Sequence, residues 1–147
     1  AYDARSGELR WAWDALRPDA QAPLAPGEIY PRGTPNVWNV ISADESLGLA
    51  FLGTGNPGAD HWGGNRTEEE DRFTAAIVAV DLTTGQTRWS FTTVQHDLWD
   101  YDIGAQPMLV DVTIDGKSRR AVLQGTKSGD LFLLDAASGE ALRPVEQ

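Results

Sequence analysis

The chain has 147 residues, among them 15 glycines, 8 prolines and no cysteine, and carries a formal charge of −10. That acidity argues against a nucleic-acid surface and against docking on anionic lipid, and no apolar run approaches the about 20 residues that span a bilayer. Frequent turn residues and the lack of sustained helical periodicity predict an all-β chain, long enough to bury a core.

In chain order, residues 1–11 open with the pattern Ala-x-Asp-x-x-Ser/Thr-Gly-x-x-x-Trp, carried by Asp3, Gly7 and Trp11. Strands are predicted over residues 37–42, 48–52, 74–80 and 86–92. The last two are joined by a second full copy of the pattern, with Asp81, Gly85 and Trp89. Further strands follow over residues 106–112, 119–124 and 130–134, and another begins near Glu140. A partial third copy has Asp135 and Gly139, but Arg143 where Trp would fall. The pattern has a physical reading as a hairpin. Asp caps the turn through its side-chain oxygen, Gly takes the positive φ, and Trp returns on the next strand to pack on a neighbouring unit. Four antiparallel strands per unit, repeated, predict β-propeller blades, with a sandwich of about eight strands as the rival fold. Residues 1–14 then form the end of one blade, 37–92 a second and 106–147 a third. Open blades leave unpaired edges, so the chain is expected to be a piece of a larger ring and to self-associate on its own.

Strand alternation places the loops. The Asp turns open on one face; the loops before first strands and between second and third strands open on the other. That second face gathers Trp38, Asn56, Asp100 and Lys127 from two adjacent blades. Together they supply an aromatic surface, a neutral oxygen ligand, a carboxylate and a cation, an inventory suited to a planar, anionic cofactor beside a hard metal ion. Asp100 sits in the densest stretch of the sequence, residues 95–102, which holds His96, Asp97, Trp99, Tyr101 and Asp102 as well. Flanking Trp99 and Tyr101 are expected to shield a carboxylate from water and raise its pKa. Spacing alone does not choose among Asp97, Asp100 and Asp102. His61 and His96 lack the spacing of a two-histidine metal site and read as supporting or surface groups.

These residues carry a resemblance. Trp38-Asn39-Val40, the run from Gly53 to Pro57, the run from Trp62 to Arg66, the run from His96 to Asp102 and the run from Gln124 to Lys127 are similar to motifs of the pyrroloquinoline quinone (PQQ) dependent dehydrogenases. The branch resembled is the membrane-associated one, acting on glucose, quinate, shikimate and polyols. The Asp-turn repeat resembles that family's tryptophan-docking motif, which implies an eight-bladed propeller. The resemblance implies that Trp38 forms the floor under the quinone and that Lys127 hydrogen-bonds the quinone oxygens. It further implies that Asn56 lends its side-chain oxygen to Ca²⁺ (or Mg²⁺) and that Asp100 is the catalytic base, leaving Asp97 and Asp102 to shape the loop. It implies a sugar or polyol substrate, electron transfer to a membrane quinone, and a location on the periplasmic side of the bacterial inner membrane. The competing expectation is a non-catalytic propeller scaffold of outer-membrane protein assembly, which needs the Asp turns but not the residues on the opposite face.

Overall fold

The run Ala76-Ile77-Val78-Ala79-Val80 is apolar at every position, which for a strand means burial on both faces rather than one. The computed structural model, which describes residues 1–18, 24–30 and 32–145, shows this arrangement. The first sheet contains β1 (Ser42–Asp44), β2 (Leu49–Gly53), β3 (Ala76–Asp81) and β4 (Thr87–Thr92), antiparallel in the order β1-β2-β3-β4. On one of its faces Leu49, Phe51, Ile77, Ala79 and Trp89 pack against Val122, Phe132, Leu134 and Ala136 of the second sheet. On the other, Ala50, Leu52, Ala76, Val78 and Val80 pack with Phe73, Ala15 and the indoles of Trp11 and Trp13. The second sheet is β5 (Met108–Ile114), β6 (Lys117–Gly125) and β7 (Leu131–Asp135), in the order β5-β6-β7. An isolated bridge from Leu134 to Ala141 starts its next edge where the fourth strand is predicted. Among the described residues the fold is all-β apart from one short helix, and its two antiparallel sheets stack face to face as neighbouring propeller blades would.

The repeated turns behave as their chemistry predicts. Asp81 Oδ1 accepts the amides of Thr83 and Thr84, each at 2.9 Å, and Gly85 sits at φ +74°. Asp3 and Asp135 cap their own turns in the same way. Each Trp then docks on the next unit's turn. Trp11 Nε1 donates to Leu82 O at 2.9 Å, and Trp89 Nε1 donates to Ala136 O at 3.1 Å. The indoles lie where side chains at Gly85 and Gly139 would be: a Cβ would stand 2.5 Å from Trp11 at the first and 2.7 Å from Trp89 at the second. Gly85 therefore answers two demands, a left-handed backbone and a close approach. Gly85→Ala should lower stability by more than about 1 kcal/mol. A thermal melt of the variant unchanged from wild type would refute this.

Several elements differ from the sequence reading, among them β5, which is predicted over 106–112 and found at Met108–Ile114. The ladder of the first sheet begins at Ser42 rather than at residue 37. Within residues 37–41, Asn39 turns to the next unit instead, its Nδ2 donating to Ile103 O at 2.9 Å and Ala105 O at 3.1 Å; Ser42 Oγ, at the start of β1, likewise donates to Pro107 O at 2.5 Å. The strand predicted from residue 74 starts at Ala76, because Thr74 closes a helix that the sequence reading missed. That helix, α1 (Glu68–Phe73), has a complete capping box between Thr67 and Glu70 and buries Phe73 against the edge of Trp13, ring centroids 5.5 Å apart. A further inter-sheet tie joins Arg120 to Asp44 at 2.8 Å. Hydrogen bonds from the Ser46 hydroxyl and the Arg120 guanidinium hold Asp44 down at about 2.

Candidate active site

The site is built on the chain leaving β2. Thr54 is fully buried; its hydroxyl donates to Phe73 O at 2.6 Å, and its carbonyl accepts the amide of Ile103 at 3.0 Å. Both bonds fix the backbone just before Gly55 and Asn56. The Asn56 amide N–H donates to Asp102 Oδ1 at 2.6 Å. Its side chain is different. Asn56 is only 6% exposed, yet neither Oδ1 nor Nδ2 has a hydrogen-bond partner among the described residues. A buried amide left in this state is destabilising by about 1–3 kcal/mol, and a bound water, ion or ligand would satisfy it.

Glycines make room for the indole of Trp38 beside it. A Cβ at Gly55 would lie 3.2 Å from Trp38 Nε1 and 2.9 Å from Asp102 Oδ1, and one at Gly104 would lie 3.0 Å from Trp38 Cη2. Trp38 thus closes on backbone at residues 55 and 104 while remaining 56% exposed, which leaves indole surface free to receive a planar group.

Asp100 and Lys127 meet directly. Lys127, in the turn between β6 and β7, donates from Nζ to the Asp100 carbonyl at 2.8 Å and to Asp100 Oδ2 at 3.1 Å. It also reaches Asp102 Oδ2 at 3.6 Å. Burial works against the Lys127 charge, but the Asp100 hydrogen bond and the two carboxylate charges outweigh it and raise its pKa. Asp102 is pushed up, first by burial and then by the negative charge of Asp100, against the lowering effect of the Asn56 N–H. The structure therefore brings all four sequence-predicted residues into one neighbourhood: Lys127 meets both Asp100 and Asp102, the Asn56 N–H donates to Asp102, and Trp38 lies against the backbone at Gly55.

Two expectations need adjustment. The aromatic neighbours do not bury Asp100: Trp99 is 64% exposed and stacks on Tyr101 at 6.4 Å, while the Asp100 carboxylate is 40% exposed. Burial falls instead on Asp102, which the sequence reading treated as a loop residue. Its neighbour Ile103 is fully buried and ties the loop to Thr54, so an apolar residue right after Asp102 was the available signal. The histidines stay outside the cluster. His96 Nδ1 pairs with Asp71 Oδ2 at 2.9 Å, and His61 Nδ1 lies 3.2 Å from Leu98 O. Among the described residues, no group of three or more His, Cys, Asp and Glu side chains is placed to hold a metal ion.

The stacked antiparallel sheets and the indoles docked on Asp turns, with a polar cluster at the opposite loops, define a section of a β-propeller. The family model "PQQ: Glucose/ethanol/alcohol dehydrogenase, beta-propeller domain" matches residues 1–147, and the chain belongs to this family. It is 44% identical over 146 residues to the quinate/shikimate dehydrogenase (quinone) of Acinetobacter baylyi, and 38% identical over 146 residues to the quinoprotein glucose dehydrogenase of Escherichia coli. Each match covers 99% of this chain and 18% of the relative. The glycerol dehydrogenase large subunit of Gluconobacter oxydans is 43% identical over 147 residues, 99% of this chain and 20% of that protein. The chain thus spans about a fifth of the length of these relatives. The crystal structure of the quinohemoprotein alcohol dehydrogenase from Comamonas testosteroni superposes with a TM-score of 0.72 at 26% identity, covering 99% of this chain and 24% of that one.

Proposed function

We propose that this chain is the section of a PQQ-dependent dehydrogenase that carries the catalytic base, in an enzyme oxidising a sugar, a polyol or a cyclic alcohol such as quinate. The observation that carries the reading is the buried, unpaired Asn56 amide beside the free indole surface of Trp38 and the Asp100–Lys127 pair. When bound, PQQ supplies the two-electron acceptor for the hydride of the alcohol carbon, and Ca²⁺ or Mg²⁺ supplies Lewis-acid polarisation. Asn56 Oδ1 is the neutral oxygen that would hold the cation, and its burial leaves it no competing water shell. Trp38 offers its exposed indole as the floor under a planar ring, and Lys127 Nζ offers donors to the oxygens of an anionic one. At Asp100, Oδ2 is engaged by Lys127, so Oδ1 is the atom placed to take the substrate hydroxyl proton.

On the same reading, residues 1–14, 37–92 and 106–147 belong to three successive blades of an eight-bladed ring. Electrons leave to a membrane quinone on the periplasmic face of the inner membrane; no helix among the described residues is long and apolar enough to cross a membrane. A non-catalytic scaffold would use the tryptophan-on-turn contacts but has no use for the unpaired Asn56 amide or the Asp100–Lys127 pair. The test is reconstitution of the full-length protein. Stripped with chelator and free of PQQ, it should be inactive towards alcohols, and PQQ together with Ca²⁺ or Mg²⁺ should restore turnover. Full activity in the stripped preparation would reject the proposal.

A further inference from the structure

Asp97 is fully buried, and the proposed chemistry gives its carboxylate no role. Both of its oxygens are nevertheless committed. Oδ1 accepts the amide of Trp99 at 2.8 Å, and Oδ2 accepts the amide of Tyr101 at 2.6 Å. These two N–H groups flank Asp100, and Asp100 itself stands at φ +63°. Amides converging on one anion around a left-handed residue make the backbone concavity that ordinarily binds a free anion; here the loop's own Asp97 fills it. Asp tolerates a left-handed backbone better than most residues but does not favour it, and the Asp97 chelate holds the chain there. The consequence is directional. With its flanking amides turned inward to Asp97, Asp100 presents both its carbonyl and its carboxylate to Lys127.

Asp97 is itself held from behind. The Arg66 side chain is buried, donates from Nη1 to the Asp97 carbonyl, and donates from Nη2 to Asp60 O at 3.3 Å. Arg66 belongs to the segment between β2 and β3 that also supplies Asp71 to His96 and His61 to the carbonyl of Leu98. Residues 96, 97 and 98 are thus gripped in succession from that one segment, while Asp97 grips residues 99 and 101. We propose that Asp97, backed by Arg66, is a positioning residue that fixes the left-handed backbone of Asp100 and so aims its carboxylate. This rests on the reading of Asp100 as base.

The test uses the full-length protein with Asp97→Asn, Arg66→Ala and Asp100→Asn, and reads three quantities. The first is hydrogen exchange of the amides of residues 99–101 in the PQQ-free protein. The second is kcat and KM measured separately, with PQQ binding followed by absorbance. The third is recovery of Arg66→Ala on adding guanidinium ion. An Asn side chain can accept one of the two amides but turns an N–H towards the other, so Asp97→Asn should lose exchange protection at residues 99–101 while the blade strands keep theirs. Its kcat should fall by about 10²-fold, as expected for a displaced reacting group, with KM and PQQ binding changed far less. Arg66→Ala should lose kcat in the same way and regain it with guanidinium. The proposal is overturned if Asp97→Asn keeps wild-type protection or kcat, or if protection is lost throughout the blades in step with kcat. Should Asp97→Asn not fold, Arg66→Ala decides: loss of kcat that guanidinium does not restore counts against it. Normal turnover by Asp100→Asn would sink the base assignment instead, and exchange at residues 99–101 tells the two failures apart because it does not depend on turnover.

Discussion

Asp100→Asn in the full-length protein should lower turnover at saturating PQQ by about 10³-fold, in the range lost with a general base, while PQQ binding and thermal stability stay near wild type. The structure explains why the substitution should be so selective. The carboxamide has the shape of the carboxylate, and Asn tolerates the left-handed backbone that Asp100 occupies. Lys127 Nζ keeps its bond to the residue-100 carbonyl at 2.8 Å, which no side-chain change removes. What disappears is the oxygen able to accept a proton. Asp102→Asn should act differently. Its oxygen can still accept the Asn56 amide, but Lys127 and any bound cation lose a nearby negative charge, so cofactor affinity should change before kcat does. Measuring kcat and PQQ affinity for both variants settles the assignment. Near-normal turnover in Asp100→Asn alongside a dead Asp102→Asn would transfer the base role to Asp102.

The sequence made the strands and Asp turns legible because each is a local arrangement. An apolar run five residues long, or an Asp followed at fixed distance by Gly, has its meaning within a few residues of itself. Trp11 and Trp89 were legible for the same reason, since their repeat position pointed to a common packing partner. The helix α1 was not, because only Phe73 of its residues is buried and one apolar residue makes no period. Its capping box, Thr67 with Glu70, was the visible sign. Residues 37–41 read as strand because their composition suits one, yet Asn39 spends its amide on carbonyls more than sixty positions away. The site divides along the same line. Asp100 and Lys127 could be put on one face by strand alternation. The burial of Asp102, the exposure of Trp99 and the chelate made by Asp97 follow from how the loop folds back on Thr54 and Arg66, and spacing carries no record of that.

The largest stability effect should come from Trp89→Ala, which should destabilise the full-length protein by about 3–5 kcal/mol, the range for removing a buried aromatic. Trp89 is buried between the two sheets, packs on Phe51 with ring centroids 5.9 Å apart, and covers the turn at Gly139. Truncation would open a cavity in the cluster that holds Ile77, Ala79 and Leu134, whose strands cannot move inward without breaking their ladders. It would also strip the Ala136 carbonyl of its indole donor. Trp89→Phe separates the two contributions. The ring fills most of the space but offers no N–H, so it should be destabilising chiefly through the lost hydrogen bond and a residual void, by a clearly smaller amount than Ala. Trp11→Ala is the internal control: the same contact is made to Leu82 O, but Trp11 is only partly buried, so less apolar surface is lost. Denaturant midpoints for the three variants should rank wild type, then Trp89→Phe and Trp11→Ala, with Trp89→Ala lowest. If Trp89→Ala instead unfolds at the wild-type midpoint, the indole on the Asp turn is not what joins one sheet to the next.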